Sequence, residues 1–345
     1  MEKYQSVRRL SEVDVLRPLA IFLVVVLHCF TVYWGKWSPF EGYVPCATYK
    51  WIAATSFSFT MELFVLLSGY IFGYQLLVQK KEFTLKSVAT NKLMRLIVPS
   101  LVFGVLYALI FYWNKDFFTV AYRVLSGAGH LWFLQMLFWC FILAFLLYKS
   151  GMSDKYKFLI LIGAIAISTV NIPLRLDKAL YYLFFFYLGI ILSGRQESCR
   201  KLCRNNMLLT VLFVVYLTLF IAYEMCLPML KVSKDSFWLY SVVPLLKRYW
   251  IFAYALSGTL FFFLLSYRIM QNSSSLPSWV MFCSSISFGI YLFHQIIIEV
   301  IYYKTSLPIL VGSYLIPWVC LLITLPLSVL LVLLVRKANL KFLSI

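Results

Sequence analysis

Residues 14–28, DVLRPLAIFLVVVLH, form an apolar run with an arginine near its start and a histidine at its end. A helix that spans a bilayer needs roughly 20 predominantly apolar residues, and the run over residues 13–33 has that length. A charged side chain at bilayer depth is costly, so polar residues inside such a helix are candidates for function. The run therefore predicts a membrane-spanning helix that carries part of a functional site.

The composition of the whole chain also indicates a membrane protein. Of its 345 residues, 63% are hydrophobic and 13% are charged, and the mean hydropathy is +0.87. Soluble domains are roughly half apolar and about a quarter charged, so this chain has too few charges to cover a soluble surface. Ten apolar runs are candidate spans: 13–33, 52–77, 95–113, 130–148, 157–172, 179–193, 207–227, 249–267, 279–301 and 314–335.

These runs predict an all-α fold, a polytopic membrane helical bundle of about ten transmembrane helices in a single domain over residues 1–345. The fifth and sixth runs are short and could be tilted, kinked or re-entrant. The apolar stretch 237–247 could be an interfacial helix or an extension of the eighth span. No small-x-small cleavage site follows the first run, so we expect a retained helix and not a cleaved leader.

The distribution of lysine and arginine predicts the orientation in the membrane. With ten spans, both termini and every second loop share one side, which holds 20 of the 31 basic residues and leaves 11 on the other. Cytoplasmic loops carry the excess of Lys and Arg. Both termini are therefore expected in the cytoplasm.

The net charge of +18 does not indicate nucleic acid binding. The basic residues lie in short clusters between apolar runs, a pattern that sets topology and contacts anionic lipid. Membrane lipid is therefore an expected partner and nucleic acid is not. Most of the eight cysteines lie in apolar runs, where Cys behaves as a small hydrophobe, and Cys199 and Cys203 have no nearby histidine. No zinc site or redox pair is expected.

Asp14, Arg17 and His28 are predicted on one face of the first helix. Arg17 and His28 are eleven residues apart, which is roughly three helical turns and about 16 Å of helix, and Asp14 lies one turn before Arg17. A basic entrance above an imidazole suggests an anionic substrate that enters from the cytoplasm and meets a group suited to proton transfer. Alternatively, the arginine marks topology and the histidine bonds another helix.

Two further stretches carry polar residues at or inside predicted spans. MELFVLLSGY at 61–70 begins with Glu62, which could orient His28 or the acceptor, or lie near the outer interface. The Ser-Gly pair of the same stretch suits close helix packing. NKLMRLIVP at 91–99 places Lys92 and Arg95 one turn apart, where they could hold phosphates or serve only as topology charges.

The remaining two histidines lie in two other apolar runs. HLWFL at 130–134 places His130 and Trp132 at the outer interface, where tryptophan is usually an anchor. SFGIYLFH at 287–294 places Tyr291 and His294 one turn apart within a span. A hydrogen bond between helices is the ordinary role of such a histidine.

Together these five stretches resemble the acyltransferase-3 family of integral membrane O-acyltransferases. The likeness covers residue 12 to about residue 300 and is strongest in the spacing of Arg17 and His28. FVLLSGY resembles the family's phenylalanine-rich LSG motif, KLMRLIVP its basic motif ending in proline, and HLWFL and FGIYLFH two further stretches. The chain departs from the family at Pro18, where glycine is frequent, and at Lys92, where arginine is common.

The resemblance implies a membrane enzyme that takes an acyl-CoA, with acetyl-CoA expected, from the cytoplasm as a substrate and not as a bound cofactor. It implies transfer to a hydroxyl of a surface glycan or lipid-linked saccharide, in the inner or plasma membrane of a bacterium. No metal is expected. The candidate catalytic residues are His28, Arg17 and Glu62. The candidate substrate-binding residues are Asp14, Lys92, Arg95, His130, Trp132, Tyr291 and His294.

Two alternatives remain open from the sequence. A transporter or exporter of a glycan or lipid-linked intermediate would also have many helices with buried polar residues, although no inverted repeat or matched pair of broken helices is visible. A non-catalytic membrane partner of a synthase is the second. The pattern also leaves open whether the acyl group is acetyl or succinyl, and whether His28 is a general base or a transient acyl carrier.

Overall fold

The computed structural model describes residues 10–226, 237–271 and 275–339, and within them the chain is helical and has no strand. In chain order the α-helices are α1 (Ser11–Phe30), α2 (Ala47–Phe57), α3 (Thr60–Gly73), α4 (Leu85–Lys92), α5 (Val98–Phe111), α6 (Phe117–Leu125), α7 (Trp132–Lys149), α8 (Asp154–Ile167), α9 (Leu176–Gly194), α10 (Gln196–Leu202), α11 (Asn206–Cys226), α12 (Phe237–Gln271), α13 (Ser278–Lys304), α14 (Leu307–Val311) and α15 (Ile316–Lys337). Two π-helical turns (Tyr74–Val78, Leu93–Ile97) and two 3-10 turns (Gly129–Leu131, Pro173–Arg175) adjoin them. Six basic residues used for the orientation lie outside the described residues: Lys3, Arg8, Arg9, Lys231, Lys234 and Lys341.

Nine helical segments of the described chain are long and apolar enough to cross a membrane. They are Ser11–Phe30, Ala47–Val78, Leu85–Phe111, Gly129–Lys149, Pro173–Gly194, Asn206–Cys226, Val242–Gln271, Ser278–Lys304 and Ile316–Lys337. The polytopic helical bundle is therefore confirmed. The stretch 237–247 belongs to the continuous helix α12 and so extends the eighth predicted span.

The fifth predicted span contains α8, whose 14 residues rise about 21 Å, short of a hydrocarbon core of about 30 Å. The directions of its neighbours nevertheless show that α8 carries the chain across the bundle. Glu62 meets Tyr181 at one end of the contact between α3 and α9, and Gly73 meets Ile190 at the other, so these helices are parallel. Parallel α3 and α9 require three crossings between them, by α5, α7 and α8.

The two ends of the described chain lie at the same end of the bundle. Near the start of α1, the Asp14 carboxylate accepts a hydrogen bond of 2.7 Å from the Ser284 hydroxyl of α13. Near the end of α15, Arg336 donates a hydrogen bond of 2.7 Å to the carbonyl of Ser285. We call this the basic end, because Arg17, Lys92 and Arg95 also lie there.

Helices α3 and α9 cross with their backbones in contact. An ideal Cβ at Gly69 would lie 1.9 Å from the carbonyl oxygen of Phe186, and one at Gly189 would lie 2.2 Å from that of Leu66. Only glycine allows such an approach, which is how small residues join membrane helices. The expected packing role of Gly69 is therefore confirmed.

Replacing Gly69 by alanine is expected to lower the free energy of unfolding by roughly 1–3 kcal/mol, the usual cost of overpacking, because the added Cβ collides with the backbone of α9. Gly163 of α8 is the matched control, since a Cβ there meets nothing within 4 Å. Alanine at that position should stabilise the helix by about 0.5–1 kcal/mol. Thermal unfolding of both variants in one detergent measures the difference. Equal stability of Gly69→Ala and the parent protein would contradict the backbone contact.

Candidate active site

A cavity of about 370 Å³ opens at the basic end of the bundle. Helices α1, α3, α7 and α13 and the π turn Leu93–Ile97 surround it. Arg17, Lys92 and Arg95 supply its cationic side chains, with Gln75, Ser284 and Ser285 as polar neighbours. The deeper wall is mostly apolar and includes Val24, Met61, Phe64, Phe133, Leu134, Leu137 and Tyr291. The cavity therefore combines a cationic mouth with an apolar interior.

The π turn at Leu93–Ile97 presents two of these cations. Pro99 has no N–H for the carbonyl of Arg95, and in a regular α-helix its ring would clash with that carbonyl. The chain instead forms a wider turn, in which the Val98 N–H bonds the carbonyl of Leu93. Arg95 is exposed at the cavity mouth.

Lys92 of the same motif is half-buried in the cavity wall. Its ammonium lies 3.7 Å from the ring centroid of Phe141, a cation–π contact. The departure from the family's more common arginine therefore places a compact charge here, without the planar fork that bonds phosphate with two donors.

Arg17 lines the cavity from α1 and is half-buried. The buried carboxylate of Asp14 attracts it electrostatically, and the charge of Arg95 repels it. Asp14 itself accepts the hydrogen bond from Ser284, so it also fixes α1 against α13. Pro18 lies inside α1 without ending the helix.

The three histidines of the chain form one cluster. The ring centroids of His28 and His294 are 5.1 Å apart, and those of His130 and His294 are 4.8 Å apart. On its other side, His28 stacks on Trp37 at 5.4 Å with an interplanar angle of 21°. The histidine cluster (His28, His130 and His294) thus joins residues from α1, the Gly129–Leu131 turn and α13.

The hydrogen bonds of the cluster leave several ring nitrogens available. His294 Nδ1 donates to the carbonyls of Tyr291 at 2.8 Å and Ile290 at 3.1 Å, so in the neutral ring Nε2 carries the lone pair. Among the described residues, His294 Nε2, His28 Nδ1 and both nitrogens of His130 are buried without a hydrogen-bond partner. Because most buried polar atoms do have partners, these nitrogens are suited to act on a substrate.

Tyr291 connects the cavity to the cluster. Its ring forms part of the cavity wall and lies 4.9 Å from the ring of His130 and 5.9 Å from that of His294. Its hydroxyl donates a hydrogen bond of 2.6 Å to the backbone carbonyl of His130. Val24, also in the cavity wall, precedes His28 by one turn of α1. None of the three histidines lines the cavity itself, and the ring of Tyr291 separates the cavity from His130 and His294.

A family model described as an acyltransferase domain, Acyl_transf_3, matches residues 10–337. The chain belongs to the acyltransferase-3 family. No curated protein and no solved structure matches it. The matched residues include every described element of the cavity and the cluster, and the protein is a multi-pass membrane acyltransferase. Family membership lends no support to the transporter alternative.

Most of the candidate site residues of this acyltransferase come together. Arg17, Lys92, Arg95 and Tyr291 line the cavity, and Asp14 acts electrostatically on Arg17. The position of His130 differs from the expected outer interface, since it is buried against His294 and Tyr291. Two glycines with positive φ, Gly127 and Gly129, turn the chain so that His130 faces inward.

Glu62 and Trp132 lie on the side of the acyltransferase nearest α9. The buried Glu62 carboxylate accepts a hydrogen bond of 3.1 Å from the Tyr181 hydroxyl, and the Trp132 ring lies 6.3 Å from that of Tyr182. Arg248 acts electrostatically on Glu62. The proposed catalytic role of Glu62 and the substrate-binding role of Trp132 stay predictions.

Glu299, a carboxylate inside a predicted span, is a functional candidate from the sequence by default, but sequence reasoning did not identify Trp37 or the partners of Glu299 as parts of the site. Trp37 belongs to an aromatic loop with no periodicity, so nothing in the pattern places it on His28. Glu299 accepts hydrogen bonds from the Tyr107 hydroxyl and from Gln295 Nε2, and the Tyr107 ring lies 6.4 Å from His130. A carboxylate within an apolar run was the one available signal for this polar group.

In the described part of the chain, no group of three or more His, Cys, Asp or Glu is arranged to hold a metal ion.

Tyr291→Phe tests whether the hydroxyl of Tyr291 positions the cluster. Tyr249→Phe is the matched control, because its hydroxyl also donates to a backbone carbonyl, that of Ile162 at 2.8 Å, away from the cavity. Each variant should lose about 0.5–1.5 kcal/mol of stability. Only Tyr291→Phe should lower the acyl-transfer rate, by about 10- to 100-fold, since small displacements of reacting groups are costly. Similar rates for the two variants would exclude the positioning role.

Proposed function

We propose that this membrane acyltransferase moves an acetyl group from cytoplasmic acetyl-CoA to a hydroxyl of a surface glycan or lipid-linked sugar. The observation that supports the proposal is the cavity, whose mouth is cationic, whose interior is mostly apolar and whose wall residue Tyr291 contacts two histidines of the cluster. Acyl-CoA has the matching sequence of parts, with phosphates at one end and a thioester on a long, uncharged arm at the other.

The mouth supports an anionic donor. Arg17, Lys92 and Arg95 are cations at one opening, and guanidinium and ammonium groups are the usual phosphate ligands of proteins. The excess of basic residues also favours a cytoplasmic location for this end of the bundle, on the side where acyl-CoA is made. From Arg17 to His28 the helix rises about 16 Å, so the arm would cross a large part of the membrane inside the protein.

The inner wall supports a small, uncharged acyl group. Its side chains near the cluster are Val24, Met61, Phe64, Phe133 and Leu134. The terminal carboxylate of a succinyl group would lose its hydration there without a cation from the wall, which is strongly unfavourable. We therefore favour acetyl over succinyl as the transferred group.

In the proposed reaction, His28 acts as the general base. It removes the proton of the acceptor hydroxyl while the oxygen attacks the thioester carbon; the new C–O bond forms, the C–S bond breaks, and the CoA thiolate takes up the proton from the imidazole. His294 and His130 lie in the same cluster and can accept or donate hydrogen bonds in both stages. A surface glycan and the acyl-CoA pool lie on opposite sides of the membrane that encloses the cell. The proposed location of the enzyme is therefore the plasma (inner) membrane of a bacterium.

Replacing His28 by alanine should reduce transfer of labelled acetyl from acetyl-CoA by about 10²- to 10⁴-fold, the usual contribution of a general base. Acetyl-CoA binding and thermal unfolding should change little, because Arg17, Lys92 and Arg95 remain in place. Acetyl-CoA should also be used at least about tenfold better than succinyl-CoA.

Full activity of His28→Ala would remove this residue from the chemistry. Release of one equivalent of CoA by the parent protein without acceptor would instead assign His28 as an acyl carrier. Movement of glycan across vesicles without acetylation would contradict the enzymatic proposal as a whole.

Arg95→Gln should raise the KM for acetyl-CoA about tenfold and leave kcat nearly unchanged, because a charged hydrogen bond to phosphate is lost in substrate and transition state alike. Arg268→Gln is the matched control. Arg268 is also exposed, but it bonds Asn206 and does not line the cavity. Equal increases of KM in both variants would show a general charge effect, not a phosphate site.

A further inference from the structure

Water competes with the acceptor hydroxyl in the proposed reaction. Both molecules carry an O–H group, and a base that removes the proton of one also removes the proton of the other. When water attacks the thioester carbon, a C–O bond forms, the C–S bond breaks and one proton passes through His28 to the CoA thiolate, which leaves acetic acid and CoA. Closed active sites prevent such hydrolysis by keeping water away from the reacting groups.

A second cavity, of about 230 Å³, brings water close to the histidine cluster. It lies at the end of α1 and α13 opposite the basic end, and its lining includes Glu41, Thr305 and Ile309. These three side chains are exposed, so the cavity opens to solvent. Its volume is several times the roughly 30 Å³ that one water molecule occupies in the liquid. The second cavity therefore has room for several water molecules.

The ring of Trp37 lies between the second cavity and His28. It stacks on the imidazole with a centroid distance of 5.4 Å and an interplanar angle of 21°. The ring of Tyr303, in the wall of the second cavity, lies 6.4 Å from that of Trp37. His28 is half-buried, and its Nδ1 is buried without a hydrogen-bond partner among the described residues. A water molecule that passed Trp37 would therefore meet an imidazole able to activate it.

The loop after α1 is held on both sides of Trp37. Gly35 has a φ of +72°, which favours glycine, and its N–H donates a hydrogen bond of 3.0 Å within the turn that follows the helix. Beyond Trp37, the carbonyl of Ser38 accepts a hydrogen bond of 2.7 Å from the hydroxyl of Tyr303. Because the backbone is fixed before and after it, the indole keeps its place on His28.

Anchoring at the membrane surface is the ordinary role of a tryptophan near the end of a span. Trp34 of the same loop fits that role, since its ring lies 5.4 Å from that of Phe57 and the Lys36 ammonium lies 4.8 Å from its centroid. Trp37 differs from Trp34 because its ring covers an imidazole that has an unused nitrogen. The two tryptophans of one loop therefore have different neighbours, and only Trp37 stacks on the proposed base.

We propose that Trp37 is a water barrier for His28 and thereby sets the preference of the enzyme for an acceptor hydroxyl over water. The indole replaces water on one face of the imidazole and carries no O–H group that can attack the thioester. Trp37 takes no part in the bond changes, so its role is selectivity and not catalysis. This inference rests on the proposed function, because the competing hydrolysis uses the same donor and the same base.

Trp37→Ala tests the barrier, and Trp34→Ala is the matched control from the same loop. Hydrolysis of acetyl-CoA without acceptor is measured as thiol release over many turnovers, and ¹⁸O-labelled water shows whether solvent oxygen enters the acetate. Trp37→Ala should hydrolyse acetyl-CoA at least about tenfold faster than the parent protein and Trp34→Ala, because water reaches the base. The KM for acetyl-CoA should not change, because the cationic mouth lies at the basic end.

Tyr303→Phe is a milder second test, because it removes only the hydroxyl that holds the carbonyl of Ser38. Hydrolysis should rise about 2- to 10-fold, which is the change in loop opening that the loss of one hydrogen bond allows. The double variant His28→Ala/Trp37→Ala should hydrolyse acetyl-CoA no faster than His28→Ala, because the added water needs the base. Thermal unfolding of each variant checks that it is folded.

Unchanged hydrolysis in Trp37→Ala would overturn the barrier, and if that variant does not fold, unchanged hydrolysis in Tyr303→Phe would do so. Equal acceleration in Trp37→Ala and Trp34→Ala would also contradict it, because a loosened loop would then explain both. Fast hydrolysis in the double variant would show that the water does not use His28.

These outcomes are separable from a failure of the proposed function. If acetyl transfer depends on His28 while hydrolysis ignores Trp37, only the water barrier is wrong. If the parent protein neither binds acetyl-CoA nor transfers its acetyl group, the proposed function itself is wrong.

Discussion

The parallel contact between α1 and α13 is the constraint on which the active region depends. A hydrogen bond from Ser284 to Asp14 holds it at the basic end, and one from Tyr302 to the carbonyl of Cys29 holds it at the opposite end. Because both ends of the contact are fixed, His28 and His294 face each other between them. The cavity opens at one end of this helix pair, so the alignment of the two helices sets the distance between its cationic mouth and the histidines.

The histidine cluster is not explained by packing alone. A polar atom buried without a partner costs about 1–3 kcal/mol, and a histidine that joins helices normally satisfies its nitrogens on its neighbours. Within the described cluster, Nδ1 of His294 is hydrogen-bonded, but its partners are backbone carbonyls of its own helix and not groups of a neighbouring helix. Three imidazoles with unused nitrogens, next to a residue of the cavity wall, are the arrangement expected of a reaction site.

The surrounding bundle supports this site through helix directions that composition does not specify. The short helix α8 returns the chain across the bundle, and this return makes α3 and α9 parallel and brings the two ends of the described chain to the basic end. Glycines at the crossing of α3 and α9 let the backbones touch, which leaves Ser68 and Met61 on α3 to line the cavity at the basic end. The cationic mouth in turn depends on the wider π turn that precedes Pro99.

The sequence by itself determined the membrane class, the helical fold, the approximate spans and the cationic residues Arg17, Lys92 and Arg95. These follow from run length and from the cost of charge in lipid, which act locally along the chain. Only the tertiary structure decided that His28, His130 and His294 meet, because they lie on elements separated by more than 100 residues and no local pattern relates one to another. The inward turn at His130 and the stacking of Trp37 on His28 were likewise invisible, since positive φ at two glycines and the path of an irregular loop leave no periodic signal in hydropathy.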